Sequence, residues 1–193
     1  MEVKLLDLQS QYDGIRDEIE QVVKEVIESQ YFILGPKVEE LEKRVSEYCG
    51  CEYAVGVSSG TDALLLSLMT AGIGNGDLVI TTPYTFFATA GAIVRAGAVP
   101  LFVDIDEETY NMDTEKLSEA VSSLKKEDRG RLKAVMPIHL YGQCADMEHI
   151  LKVAEDNEVI VIEDAAQAIG SEYKFKDQGV KRAGSMGHYG CFS

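Results

Sequence analysis

From residue 53 onward the chain alternates short apolar, β-branched runs with amphipathic stretches. That alternation restricts the fold more than any other feature of the sequence. Strands are expected over residues 53–57, 78–82, 99–103, 134–138 and 159–162, and helices over 62–71, 86–96, 114–125 and 147–156, with Asp113 capping the third. The run Val159-Ile160-Val161-Ile162 shows no polar alternation, which predicts a strand buried on both faces. Strands separated by helices pair in parallel through right-handed crossovers, with helices covering both faces of the sheet. The expected fold class is therefore α/β, a mostly parallel sheet flanked by helices.

The first 52 residues have a different texture and read as an N-terminal helical segment preceding an α/β domain over 53–193. Ile15, Ile19, Val22, Val23, Val26 and Ile27 recur at helical spacing within 13–30, with charged residues between them. Tyr31-Phe32-Ile33-Leu34-Gly35-Pro36 interrupts that helix, and Pro36 suits the first turn of a second one reaching Tyr48. The aromatic, apolar loop between them is compatible with an interface or with core.

Several function classes are excluded on composition. A formal net charge of −15 argues against nucleic acid or an anionic membrane as partner. No apolar run is long enough to span a bilayer, and residues 1–11 lack the pattern of a secretory signal. Cys49, Cys51, Cys144 and Cys191 lack metal-ligand spacing and read as free thiols of a reducing cytoplasm. The sequence ends at Ser193 inside an expected strand over 189–193, so a fragment of a longer protein is expected.

In an open α/β sheet, ligands sit beyond the carboxyl ends of the strands, and three stretches there carry chemistry. Ser58-Ser59-Gly60-Thr61-Asp62 lies where an expected strand turns into a helix, whose free N–H groups suit an anion. Gly60 would let a phosphate approach, and Ser59 and Thr61 add hydroxyls; a plain helix cap explains the stretch equally well. Pro83-Tyr84-Thr85-Phe86-Phe87-Ala88-Thr89 follows the next strand and could stack an aromatic on a flat heterocycle, although at least one of Phe86 and Phe87 is expected in the core. Glu163 and Asp164 end the 159–162 run, as a solvated strand end or as a charge aimed at a cationic ligand. His139, at another strand end, reads as structural. The glycines at 72–76 and 184–190 precede strands, the wrong order for a dinucleotide loop, and no Walker A sequence occurs. A phosphate cradle, a stacking ring and a carboxylate together describe a site for pyridoxal phosphate (PLP), whose ring acts as an electron sink when its nitrogen is protonated.

Ordered motifs along the whole chain carry a family resemblance. They include Leu6-Asp7-Leu8, Phe32-Ile33-Leu34-Gly35-Pro36, Ser59-Gly60-Thr61-Asp62-Ala63-Leu64, Tyr84-Thr85-Phe86, Val103-Asp104-Ile105-Asp106, Leu140-Tyr141-Gly142-Gln143 and Glu163-Asp164-Ala165-Ala166-Gln167. The sequence resembles the DegT/DnrJ/EryC1/StrS family of PLP-dependent nucleotide-sugar aminotransferases, within the fold type I, aspartate-aminotransferase-like superfamily. The resemblance implies the large PLP-binding domain, truncated. It implies that Gly60 and Thr61 hold the cofactor phosphate with Ser59 nearby, and that Phe86 stacks on the ring. Asp164 would pair with the ring nitrogen, Gln167 would lie near the phenolic oxygen, and Ser193 would add a phosphate contact.

The family's Schiff-base lysine is expected a few residues beyond Ser193, so no catalytic residue is assigned within the chain, and the chain alone is expected to be inactive. The implied reaction moves an amino group, from glutamate, to a keto-deoxysugar linked to a nucleotide, in a cytoplasmic homodimer that feeds polysaccharide biosynthesis. The family also includes PLP-dependent sugar dehydratases, with histidine in place of that lysine. A non-catalytic nucleotide-sugar-binding relative is the reading from outside enzymology.

Overall fold

The computed structural model describes residues 6–193. The expectations touching residues 1–5 lie outside the described residues. Two helices open the chain. α1 (Leu8–Ser29) starts earlier than its apolar periodicity suggests, because the Asp7 side chain accepts the Ser10 N–H and caps it. α2 (Pro36–Cys49) has Pro36 in its first turn and Gly50 in the left-handed conformation at its end.

The next expected strand does not form. Residues 53–57 join no strand pairing among the described residues, and Tyr53 and Val55 are each 77% exposed. An extended segment becomes a strand only when a neighbour takes its N–H and C=O groups. Here the Gly56 N–H goes instead to the Glu42 carboxylate on α2, at 2.7 Å.

Beyond this segment the alternation holds. α3 (Gly60–Thr70) is followed by β1 (Leu78–Thr81), α4 (Phe87–Arg95), β2 (Val99–Phe102) and α5 (Thr114–Ser123), which Asp113 caps through the N–H groups of Glu115 and Lys116. A single turn, α6 (Lys126–Arg129), leads to β3 (Leu132–Val135), α7 (Met147–Asp156) and β4 (Ile160–Asp164). An antiparallel hairpin, β5 (Glu172–Phe175) and β6 (Gly179–Arg182), precedes β7 (Tyr189–Cys191). The main sheet has the order β2-β1-β3-β4-β7, with every pairing parallel.

Alternate residues of each central strand enter different apolar clusters. Leu78, Ile80, Val135 and Val161 pack with Leu117 and Val121 of α5 and Met147, Ile150 and Ala154 of α7. Val79, Ala134, Met136 and Ile162 pack with Leu64 and Leu68 of α3 and Ala92 and Ile93 of α4. Both faces are thus covered, which explains the unbroken apolar run of β4. The expected α/β fold with a mostly parallel sheet is the fold observed.

Candidate active site

The seven candidate residues gather at the carboxyl edge of this sheet, and each step of the assembly can be traced. Ser59 is the N-cap of α3, its hydroxyl accepting the Asp62 N–H at 3.1 Å. The Asp62 carboxylate folds back onto the hydroxyls of Ser58 and Ser59, and these hydrogen bonds, Ser58 first, hold it below the usual carboxylate range. The expected cap is formed at this helix end. Ser59 and Asp62 satisfy each other, while the N–H groups of Gly60 and Thr61 meet no acceptor among the described residues. Ser193, two residues past β7, lies against Gly60: a Cβ at residue 60 would stand 2.8 Å from Ser193 Cβ. Only glycine leaves the helix N-terminus open beside the serine hydroxyl.

β7 pairs with β4 so that Cys191 sits opposite Asp164, and the Ala165 N–H donates to the Cys191 carbonyl at 2.8 Å. This pairing brings the Gly60–Ser193 corner beside the acid. Asp164 is buried, and Thr89 of α4 donates to its Oδ2 at 2.7 Å. Its other oxygen, Oδ1, receives only the Ala166 N–H at a long 3.4 Å. Burial pushes the Asp164 carboxyl above its ordinary range, against the pull of the Thr89 hydroxyl, the Ala166 N–H and nearby His139.

Phe86 stands at the N-cap of α4, a position where Ser, Thr, Asn or Asp would stabilise the helix by ~1 kcal/mol. The ring makes no such bond and is 75% exposed; Phe87 is 81% exposed. The expectation that at least one of them packs in the core is therefore wrong. Both side chains project from the first turn of α4, Phe87 along its own helix against Gly91. An aromatic that forgoes both the cap and the core leaves a free ring at the sheet edge.

Gln167, three residues beyond Asp164, accepts the Tyr141 N–H on its side-chain oxygen at 2.8 Å. That bond fixes the amide orientation and leaves the NH2 group as a donor. Tyr141 pays for this arrangement with left-handed backbone at φ 55°.

Two features were not legible in the sequence as parts of the site. Thr89 carries no marker beyond its place in a helix. Glu163, which a strand end would otherwise expose, is fully buried and accepts N–H groups from Gly184, Met186 and Gly187 at 2.8, 2.7 and 2.5 Å. His139 completes its shell at 2.8 Å. Because His139 Nδ1 accepts the Ala145 N–H at 3.1 Å, the ring proton sits on Nε2 and points at Glu163. His139 is structural, as its position suggests.

The arrangement fits a flat, phosphorylated, protonatable ring. Gly60, Thr61 and Ser193 offer donors to a phosphate, Phe86 a face, Gln167 a donor, and Asp164 an acceptor whose buried charge a cationic ring nitrogen would relieve.

Comparison with known proteins gives the family and the fold. The model of the DegT/DnrJ/EryC1/StrS aminotransferase family matches residues 13–193. A pleiotropic regulatory protein of Geobacillus stearothermophilus is 48% identical over 91% of the chain and 45% of its own length. The UDP-2-acetamido-2-deoxy-3-oxo-D-glucuronate aminotransferase of Pseudomonas aeruginosa is 41% identical over 90% of the chain and 46% of its own length. Among solved structures, S. venezuelae DesV in complex with a ketimine intermediate superposes with a TM-score of 0.86 at 36% identity, covering 95% of the chain and 46% of DesV. The PLP form of the putative sugar aminotransferase Spr1654 from Streptococcus pneumoniae gives a TM-score of 0.77 at 30% identity, covering 89% of the chain and 45% of that protein. The chain thus spans just under half the length of these relatives, and the fold it shares with them is that of the fold type I aminotransferases. The chain belongs to the DegT/DnrJ/EryC1/StrS aminotransferase family.

Proposed function

We propose that this chain supplies the cofactor-binding part of a PLP-dependent aminotransferase that aminates a keto-deoxysugar carried on a nucleotide, with glutamate as donor. The observation that carries the proposal is the buried Asp164 carboxylate, with one oxygen left nearly unpartnered at the same sheet edge as the Gly60–Ser193 cradle. The names of the sugar aminotransferases among its relatives support the substrate class.

Within this reading, the N–H groups of Gly60 and Thr61 and the Ser193 hydroxyl hold the phosphate at the positive end of α3. Phe86 covers one face of the ring and excludes water from it. The Gln167 NH2 group, oriented by the Tyr141 N–H, donates toward the phenolic oxygen. Asp164 keeps a proton on the ring nitrogen, because a buried carboxylate favours an adjacent cation. Bound PLP supplies an electron sink for the transfer of the amino group.

A homodimer is part of the proposal, supported by the exposed Tyr31, Phe32, Ile33 and Leu34 and by the exposed apolar residues of α1, including Val23 and Ile27. A cytoplasmic setting is supported by the four free thiols; among the described residues no helix is long and apolar enough to cross a membrane.

The test is cofactor loading of the protein carried to the full length of its relatives. PLP should give a visible absorbance band that borohydride abolishes, and glutamate with a nucleotide-linked keto sugar should yield 2-oxoglutarate and the amino sugar. A lysine following Ser193 and yet no band under saturating PLP would contradict the proposal.

A further inference from the structure

A hydroxyl pair stands behind Asp164. Thr89 lies on the buried stripe of α4 with Ala92 and Ile93, where an apolar residue would pack equally well. A buried helical threonine commonly turns its hydroxyl back to the carbonyl of the preceding turn. Thr89 instead donates to Asp164 Oδ2 at 2.7 Å and contacts the Thr85 hydroxyl at 2.8 Å. The direction of both bonds follows from proton count. An ionised carboxylate only accepts, so the single Thr89 proton goes to Asp164 and Thr85 donates to Thr89.

Asp164 has few other restraints. Its backbone is tied to Pro137 and His139 on β3's extension, but its side chain has only Thr89 and the long Ala166 contact. The carboxylate plane is thus set from α4, an element 75 residues away in sequence. We infer that Thr89, held by Thr85, is a positioning residue for the cofactor's ring nitrogen: by occupying Asp164 Oδ2 it reserves Oδ1 for the ring N–H.

The inference rests on the PLP reading above, and the experiment separates the two. In the protein carried to the full length of its relatives, dissociation constants for PLP and for 1-deaza-PLP, which lacks the ring nitrogen, are measured by equilibrium dialysis for wild type, Thr89→Val and Thr89→Ser. Valine has threonine's shape without its hydroxyl, and thermal unfolding checks that each variant folds. Thr89→Val should weaken PLP binding about tenfold, the worth of a charge-assisted hydrogen bond, and leave 1-deaza-PLP unchanged. Thr89→Ser should restore the preference for PLP. Equal weakening of both ligands would mark Thr89 as merely structural, and an unchanged PLP preference in Thr89→Val would show that Asp164 needs no such support; either result overturns the inference and leaves the functional reading intact. A wild-type protein that binds neither ligand, or binds both equally, would overturn the functional reading and the inference together.

Discussion

Glu163 and Asp164 are adjacent acids at the end of one strand, and the structure treats them in opposite ways. The pleat sends successive side chains to opposite faces of the sheet. Glu163 enters the side closed by the turn before β7, where three N–H groups and His139 satisfy it completely. Asp164 is also buried, but Thr89 satisfies one oxygen and little satisfies the other. A completed shell makes Glu163 a structural anion that fixes the path of the chain toward Ser193. An incomplete shell leaves Asp164 the acid on which the proposed cofactor contact rests.

The contrast can be broken most forcefully by removing each charge in turn. On the proposed function, Asp164→Asn in the protein carried to the full length of its relatives should lower transamination by about a hundredfold or more while folding is retained, since the site would lose the group opposite the developing charge. Glu163→Gln should do the reverse. It leaves buried N–H groups facing an amide in place of a carboxylate, and should cost about 3 kcal/mol of stability in denaturant unfolding, with turnover per folded molecule much less affected. If both variants lose stability and activity in the same proportion, the two acids do not have separate tasks.

A smaller effect is expected at Phe86. Its exposed ring contributes little to the core, so Phe86→Ala should leave the melting temperature nearly unchanged and weaken PLP binding about fivefold, the worth of one stacked aromatic. A large drop in stability would show that the ring packs rather than waits.

The smallest effect is on pH dependence in the absence of cofactor. Burial raises the Asp164 pKa above the ordinary value of 3.8. Between those two values the folded state holds more protons than the unfolded state, so stability falls as pH rises through that window. Asp164→Asn removes this loss. The cofactor-free variant should therefore gain on wild type as pH climbs from below 3.8 toward neutrality, and the gap should close again on acidification. A gap independent of pH would mean that Asp164 is not penalised by its burial.

The same pair shows how much could be read in advance. The unbroken apolar run of β4, the Asp113 cap and Pro36 at the start of α2 are local signals, and the structure follows them. The seven candidate residues were proposed mainly through motifs, each short and continuous. What escaped depends on contacts between distant segments. Residues 53–57 alternate like a strand, but pairing needs a neighbouring edge, and Glu42 takes the Gly56 N–H instead. The β5–β6 hairpin does alternate at Tyr173 and Phe175, but over only four residues, and its partner Gly179–Arg182 has a single apolar residue besides glycine, so the signal is short. Nothing near Thr89 or Glu163 in sequence reveals their partners, which lie 75 residues away for one and on a turn more than 20 residues ahead for the other. Phe86 and Phe87 misled for the opposite reason. Their composition suggests core, yet the helix start they occupy lies at an open edge.

The central claim is that Asp164 holds a proton on the cofactor's ring nitrogen, and the ring nitrogen itself can report it. With PLP labelled with 15N at that position and bound to the full-length protein, the nitrogen resonance should lie in the pyridinium range in wild type and move to the neutral-pyridine range in Asp164→Asn. A neutral resonance in wild type, or a protonated one that survives the substitution, would contradict the account.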